Sequence, residues 1–236
     1  MQIKIVYEDR QVLVIYKPAG LATQTAQAGR PDVVSECKNY LKGAYVGVVH
    51  RLDQPVEGLL VFAKTRQAAA KLSDQLKSGT LNKQYQAVVC GQPLDKEGTL
   101  VDYLYKTADN RAAIAKPRTA AWETARKAVL HYVIRKDHND SGVPGSVEPQ
   151  KICLVDITIE TGRFHQIRCQ MAHAGMPLLG DQKYQTSESA KISNLLQVRN
   201  VALCAVSLEF VHPDTGRLMH FTAEPEAQIF DSFGAR

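Results

Sequence analysis

Apolar residues along this chain fall mostly into short runs punctuated by turn residues. Ile3 to Val6 and Val12 to Tyr16 are β-branched, and Glu8-Asp9-Arg10 separates them, which predicts a hairpin. Lys17-Pro18-Ala19-Gly20 then breaks regular structure. Val46 to Val49 and Gly58 to Lys64 predict two more strands, with Asp53-Gln54-Pro55 in the loop between them. From Arg66 to Lys77, Ala69, Leu72 and Leu76 recur at helical spacing, and Gly79 supplies a stop. Strands are expected over Tyr85 to Cys90, Thr99 to Tyr105, Ala128 to Ile134 and Ile152 to Ile159. The polar stretch from Asp137 to Gln150, rich in Gly and Pro, joins the last two and is expected to be the most mobile part. Pro213-Asp214-Thr215-Gly216 marks a hairpin between Val201 to Val211 and Leu218 to Thr222. Strands outnumber helices, and tight turns join several neighbours. The expected class is therefore α+β, a mixed, mainly antiparallel sheet with flanking helices, not a doubly wound nucleotide fold. With no internal repeat and no linker, one domain over residues 1–236 is expected.

Composition narrows the function only a little. The 236 residues are 44% hydrophobic and 22% charged, enough for a sizeable core, and no apolar run is long enough for a membrane span. The N-terminus shows no signal-peptide pattern. The five cysteines are odd in number and scattered, without a C-x-x-C pair, which points away from a disulfide framework or zinc site. A cytoplasmic protein is expected. A net charge of +5 suits a polyanionic partner such as nucleic acid.

Two stretches carry candidate chemistry. In Val48-Val49-His50-Arg51-Leu52-Asp53-Gln54-Pro55, a strand delivers an aspartate into a Pro-containing loop. Rigid scaffolds present reactive groups on such loops, although a turn-capping aspartate looks the same from local pattern alone. In Thr161-Gly162-Arg163-Phe164-His165-Gln166-Ile167-Arg168, Thr161 is placed to cap a helix that Gly175 ends. His165 and Arg168 would then share one helix face, and the plain alternative is a solvated basic face. His165 and His173 lie two turns apart with no third ligand, so no metal site is expected.

His50-Arg51-Leu52-Asp53, Gly58-Leu59-Leu60 with Ala63-Lys64, Lys83-Gln84-Tyr85 and Thr161-Gly162-Arg163 with His165-Gln166-Ile167-Arg168 resemble, in order, the motifs of the RluA-type pseudouridine synthases. Lys17-Pro18-Ala19-Gly20, Leu179-Gly180-Asp181 and Tyr184 continue the likeness, which runs over about residues 5 to 225. The resemblance implies a mixed sheet with a central active-site cleft; unlike many relatives, this chain is expected to be a catalytic domain without an N-terminal RNA-binding domain. It implies that Asp53 is the catalytic aspartate, that Arg51 helps displace the target base, that Tyr85 stacks on the uracil, and that Arg168 pairs with the catalytic carboxylate. His50, Arg163, His165 and Ile167 are carried over as substrate-binding residues. The implied substrate is structured RNA, ribosomal RNA before transfer RNA, and the implied chemistry needs no cofactor or metal.

That chemistry breaks the N1–C1′ bond of uridine, turns the uracil and rejoins it through C5. One carboxylate suffices, either to attack C1′ or to remove the 2′ proton. The target must leave its stack, at a cost of a few kcal/mol that an inserted arginine and an aromatic face offset. This sequence departs from the family at Val56-Glu57, where relatives usually carry Thr-Ser, and at Cys204, where histidine is common. Glu57 is expected to face solvent, and Lys17, Arg51, Lys83 and Arg163 are candidate RNA contacts. Two other classes compete: an RNA-binding factor that kept the scaffold without activity, and a glycoside or nucleoside hydrolase using Asp53 and Glu57 as a carboxylate pair.

Overall fold

A computed structural model describes residues 3–25, 29–91, 95–137 and 152–234. In chain order the elements begin with β1 (Lys4–Glu8), β2 (Val12–Lys17), α1 (Val33–Tyr40), β3 (Gly47–Val48), β4 (Glu57–Ala63), α2 (Arg66–Ser78) and β5 (Asn82–Cys90). Next come β6 (Glu97–Lys106), β7 (Ala112–Ile114), α3 (Ala120–Thr124), β8 (Arg126–Asp137), β9 (Ile152–Ile159) and α4 (Gln166–His173). The chain closes with α5 (Ser187–Leu195), β10 (Leu203–Val211), β11 (Leu218–Thr222) and a 3-10 turn at Gln228–Phe233. This is the expected mixed sheet with few helices. Two compact units divide the chain: Met1–Gln84 with Cys204–Glu226, and Tyr85–Leu203 with Ala227–Arg236.

In unit 1 the strand order is β1-β2-β4-β10, with β3 on β4 and β11 on β10. β1, β2 and β4 run antiparallel in sequence, as do β10 and β11, while β4 and β10 are parallel. The first hairpin forms because Asp9 Oδ1 accepts the amide hydrogens of Gln11 and Val12 at 2.7 and 2.8 Å. Central strands buried on both faces should read as continuous apolar runs. β2 (VLVIYK) and β4 (EGLLVFA) do so, buried along their whole length, each carrying one charged residue inward. α2 covers one face with Ala68 and Leu72, which join Val14, Leu59, Val61 and Phe210 in one core cluster. Thr65 caps it by accepting from Ala68 N–H, and Gly79 ends it at φ 74°. Truncating fully buried Leu72 to Ala should cost about 2–5 kcal/mol. Gly58 is required where it stands: with φ 120°, a Cβ there would lie 2.4 Å from Ala205 N on β10.

In unit 2 the order is β5-β9-β8-β6-β7, with β6, β7, β8 and β9 paired antiparallel. α4 lies on this sheet with Cys169 against Leu104, Ala112 and Ala128. The Asp137–Gln150 stretch falls, from residue 138 on, outside the described residues. The long helix expected between Thr161 and Gly175 is corrected: α4 starts only at Gln166, after His165 at φ 50°. The reason is local bonding. Thr161 Oγ1 accepts from Val129 N–H and donates to Gln166 Oε1, so the hydroxyl ties a turn to β8 and caps no helix.

Candidate active site

Asp53 lies half-buried in the loop between β3 and β4, and both neighbours are fastened through their backbone. Thr23 Oγ1 donates to Leu52 O at 2.8 Å and accepts from Leu52 N–H at 3.2 Å. Gly20 N–H donates to Gln54 O at 2.8 Å, and Gln54 Nε2 returns a bond to Gly20 O. Beneath them Lys17, fully buried, donates from Nζ to Pro18 O, Leu21 O and Gln54 O at 2.9, 2.7 and 3.1 Å. Three carbonyls occupy the three ammonium hydrogens. Lys17 is thus a clamp on the loop, and its expected role as a phosphate contact is corrected. Burial pushes its pKa down to about 7, while the charges of Asp53 and Glu57 act the other way.

Glu57 also departs from expectation. It is 3% exposed, the first residue of β4, opposite Cys204 on β10. Tyr16 Oη lies 3.7 Å from Cys204 Sγ, and Glu57 adds a hydrogen bond to Tyr16. Burial first, then the neighbouring Cys204 and Glu57, push the Tyr16 phenol up; burial and Glu57 do the same to the Cys204 thiol. The two departures from the family pattern therefore meet in one buried cluster behind the Asp53 loop. A carboxylate so enclosed is no exposed partner for Asp53, which removes the support for a glycosidase-like pair.

His50 and Arg51 point to different tasks. Arg51 is exposed, as a residue entering an RNA stack must be. His50 is buried, its Nε2 accepting from Val61 N–H at 3.3 Å. Burial, aided by the Lys83 charge, holds its imidazole well below the usual histidine range, so it is a neutral acceptor that ties the loop to β4. Lys83 is itself pushed down to about 8 by burial.

In unit 2, Tyr85 and Ile167 are buried at 5% and 6% exposure, and Arg163 is exposed with Nε on Lys127 O. Arg168 is 4% exposed and forks onto Asp181: Nε to Oδ2 at 2.7 Å and Nη2 to Oδ1 at 2.8 Å. Its guanidinium also faces the Tyr184 ring at 5.3 Å. The alternative of a solvated basic face fails here, since His165 is 8% exposed. Gln166, to which the sequence assigned no role, accepts from Thr161 and from Arg163 N–H and donates to Val129 O, setting the turn before α4. Asp181 was legible only as a motif residue, because nothing local links it to an arginine thirteen positions earlier.

A family model described as RNA pseudouridylate synthase matches residues 11–173. The chain belongs to that family. It is by membership an RNA pseudouridine synthase, an isomerase. The ribosomal large subunit pseudouridine synthase D of Zymomonas mobilis is 34% identical over 94% of this chain and 69% of its own length. The protein of the same description from Haemophilus influenzae is 32% identical over 94% of this chain and 67% of its own. The chain thus spans about two thirds of these relatives. Human RNA pseudouridylate synthase domain containing 1 has the same fold, with TM-score 0.76 at 18% identity over 98% of this chain and 86% of that one. Among the described residues no helix is long and apolar enough to cross a membrane.

Proposed function

We propose that this chain isomerises uridine to pseudouridine in structured RNA, ribosomal RNA in preference to transfer RNA, with Asp53 as its catalytic residue. The observation that carries the reading is the fastening of Leu52 and Gln54 on either side of Asp53. Reaction at a single carbon of a flexible polymer rewards a carboxylate that is already in place, since orientation supplies a large part of the barrier reduction. Asp53 acts at the ribose. Tyr85 supplies the aromatic face for the extruded uracil, and exposed Arg51 fills the place the base leaves. Arg168 acts at the reacting carboxylate, its fork oriented by Asp181, and His50, Arg163, His165 and Ile167 line or support the substrate. The bond broken at N1 is replaced by one at C5, and the proton lost from C5 is matched by one gained at N1, so no oxidant or reductant enters the balance. The lean to ribosomal RNA is supported by relatives named for the ribosomal large subunit.

The test offers the wild type and Asp53→Asn a large-subunit ribosomal RNA transcript and a transfer RNA pool, and maps pseudouridine by base-specific chemical labelling. Pseudouridine at one or a few ribosomal positions with the wild type alone is expected. Modification of transfer RNA only would overturn the substrate preference, and an active Asp53→Asn would overturn the catalytic assignment.

A further inference from the structure

Phe164 is a large aromatic residue that the fold does not bury. It is 40% exposed in the turn before α4, yet its ring makes two defined contacts. One face stacks on the His165 imidazole, with centroids 3.8 Å apart and planes within 21°. The Lys106 ammonium at the end of β6 lies 5.0 Å from the ring centroid. The backbone pays for this presentation, because His165 sits at φ 50°, a region that side chains other than glycine's seldom occupy. Side-chain bonds hold it there. Tyr184 Oη lies 2.9 Å from His165 Nδ1 and accepts Ala112 N–H at 2.6 Å.

The surroundings are cationic. Arg111 donates to Lys183 O, Lys183 donates to Asn110 O, and Arg163 is exposed in the same turn as Phe164. Among the described residues, Asp109 is paired with Arg111 at 3.1 Å and Asp181 with Arg168 at 2.7 Å. A core-packing residue would be buried, and a chance surface phenylalanine would need neither a strained neighbour nor a cation over its ring. An exposed aromatic face among lysines and arginines is what proteins offer to unpaired bases of single-stranded RNA, with stacking for the base and charge for the phosphates.

We propose that the Phe164–His165 pair is a base-stacking platform that receives an unpaired RNA base beside the target uridine, with Lys106 and Arg163 meeting the adjoining phosphates. The identity of the ligand as RNA rests on the synthase reading. Tyr184 supports both this platform and, through its ring, the Arg168 guanidinium. Occupancy by a flanking base would thus be a source of sequence preference.

The probe is a single-stranded oligouridylate carrying one 2-aminopurine, whose fluorescence falls when it stacks on an aromatic ring. With the full chain, binding should quench it, and Asp53→Asn should quench equally. Phe164→Leu keeps an apolar side chain but has no ring; it should weaken binding about tenfold and abolish the quench, while Phe164→Trp retains both. On a modified RNA, Phe164→Leu should raise KM with kcat nearly unchanged. Unaltered affinity and quenching in Phe164→Leu would overturn the platform while leaving the synthase reading intact. Ring-dependent quenching by a chain that forms no pseudouridine would leave the platform standing and sink the catalytic reading instead.

Discussion

In unit 1 the backbone on either side of the key residue is fastened, whereas in unit 2 the key side chain itself is gripped by a carboxylate. Around Asp53 the hydrogen bonds of Lys17, Thr23 and Gly20 reach the main chain of Leu52 and Gln54. The loop that carries the carboxylate is thereby a fixed frame. Around Arg168 the guanidinium itself is gripped by two bonds from Asp181 and covered by Tyr184. The difference suits the tasks proposed for them. A reacting carboxylate must meet its substrate, and fastening the backbone of its neighbours fixes the position from which it does so. A cation that must keep one orientation in a buried place gains from a bidentate partner, which also offsets its desolvation.

The largest expected effect tests whether unit 1 carries the reaction. Asp53→Asn should lower turnover by about 10³-fold or more, with RNA affinity within about tenfold, because phosphate and stacking contacts carry binding. The loop itself should stay fastened, because its bonds run through the backbone of Leu52 and Gln54. Single-turnover rates and a binding titration on the same RNA decide it, and a variant with wild-type rate would leave the frame without a purpose.

The second expectation concerns unit 2. Asp181→Asn leaves Arg168 charged, 4% exposed and short of its fork partner. Breaking a buried pair from one side costs about 3–5 kcal/mol, so denaturant unfolding should show a loss of that size together with most of the activity. Losing activity with stability unchanged would mean that Asp181 steers Arg168 without helping to hold the fold.

How much of this contrast could be read from the chain follows from the same difference. Most elements of unit 1 were legible because their signals are local: β-branched runs, the Asp9 turn, Ala and Leu spacing in α2 and the Gly79 stop. The Asp53 loop was legible as a motif. Its clamp was not, since Lys17 looks like any surface lysine until β2 and β4 enclose it. α1 and α5 escaped notice because their caps are plain: Asp32 accepts from Ser35 N–H, and the Thr186 capping box closes with Ser189 in place of the usual glutamate or glutamine. In unit 2 Thr161 gave a true capping signal that tertiary bonding overrode, when Val129 N–H and Gln166 claimed its hydroxyl. Pairings that join distant positions, Arg168 with Asp181 or Tyr184 with Ala112, leave no local trace.

A third substitution asks whether the backbone clamp matters in its own right. Lys17→Met keeps the length of the stem but removes every donor, leaving Pro18 O and Leu21 O without the bonds described here. A displacement of Asp53 by as little as about 1 Å should cost on the order of 10² in turnover. Stability should respond to pH in a defined sense. Lys17 titrates near 7 when folded and at its ordinary 10.5 when unfolded, so the unfolded chain binds more protons between those values. Stability of the wild type should therefore gain from this group as pH rises from about 7 to about 10, and Lys17→Met should lose that gain. Urea midpoints at several pH values read it out.

The smallest effect is the most discriminating, because it concerns a residue whose position was misjudged from sequence. A solvent-facing Glu57 would make Glu57→Ser nearly silent, within about fivefold. Only 3% exposed beside Tyr16 and Cys204, it instead places a negative charge near Lys17. Glu57→Gln keeps the shape and removes the charge. The Lys17 ammonium then loses one of the two charges that hold its pKa up, and a neutral amine has only two hydrogens for three carbonyls. The clamp should weaken at lower pH than in the wild type, so the alkaline limb of the pH–rate profile should move down by about one unit. At about pH 5, below the Lys17 pKa of both proteins, the ammonium stays largely protonated and their rates should agree closely. A uniform loss at every pH would assign Glu57 a packing role alone, and an unchanged profile would show that the Lys17 charge does not govern the loop.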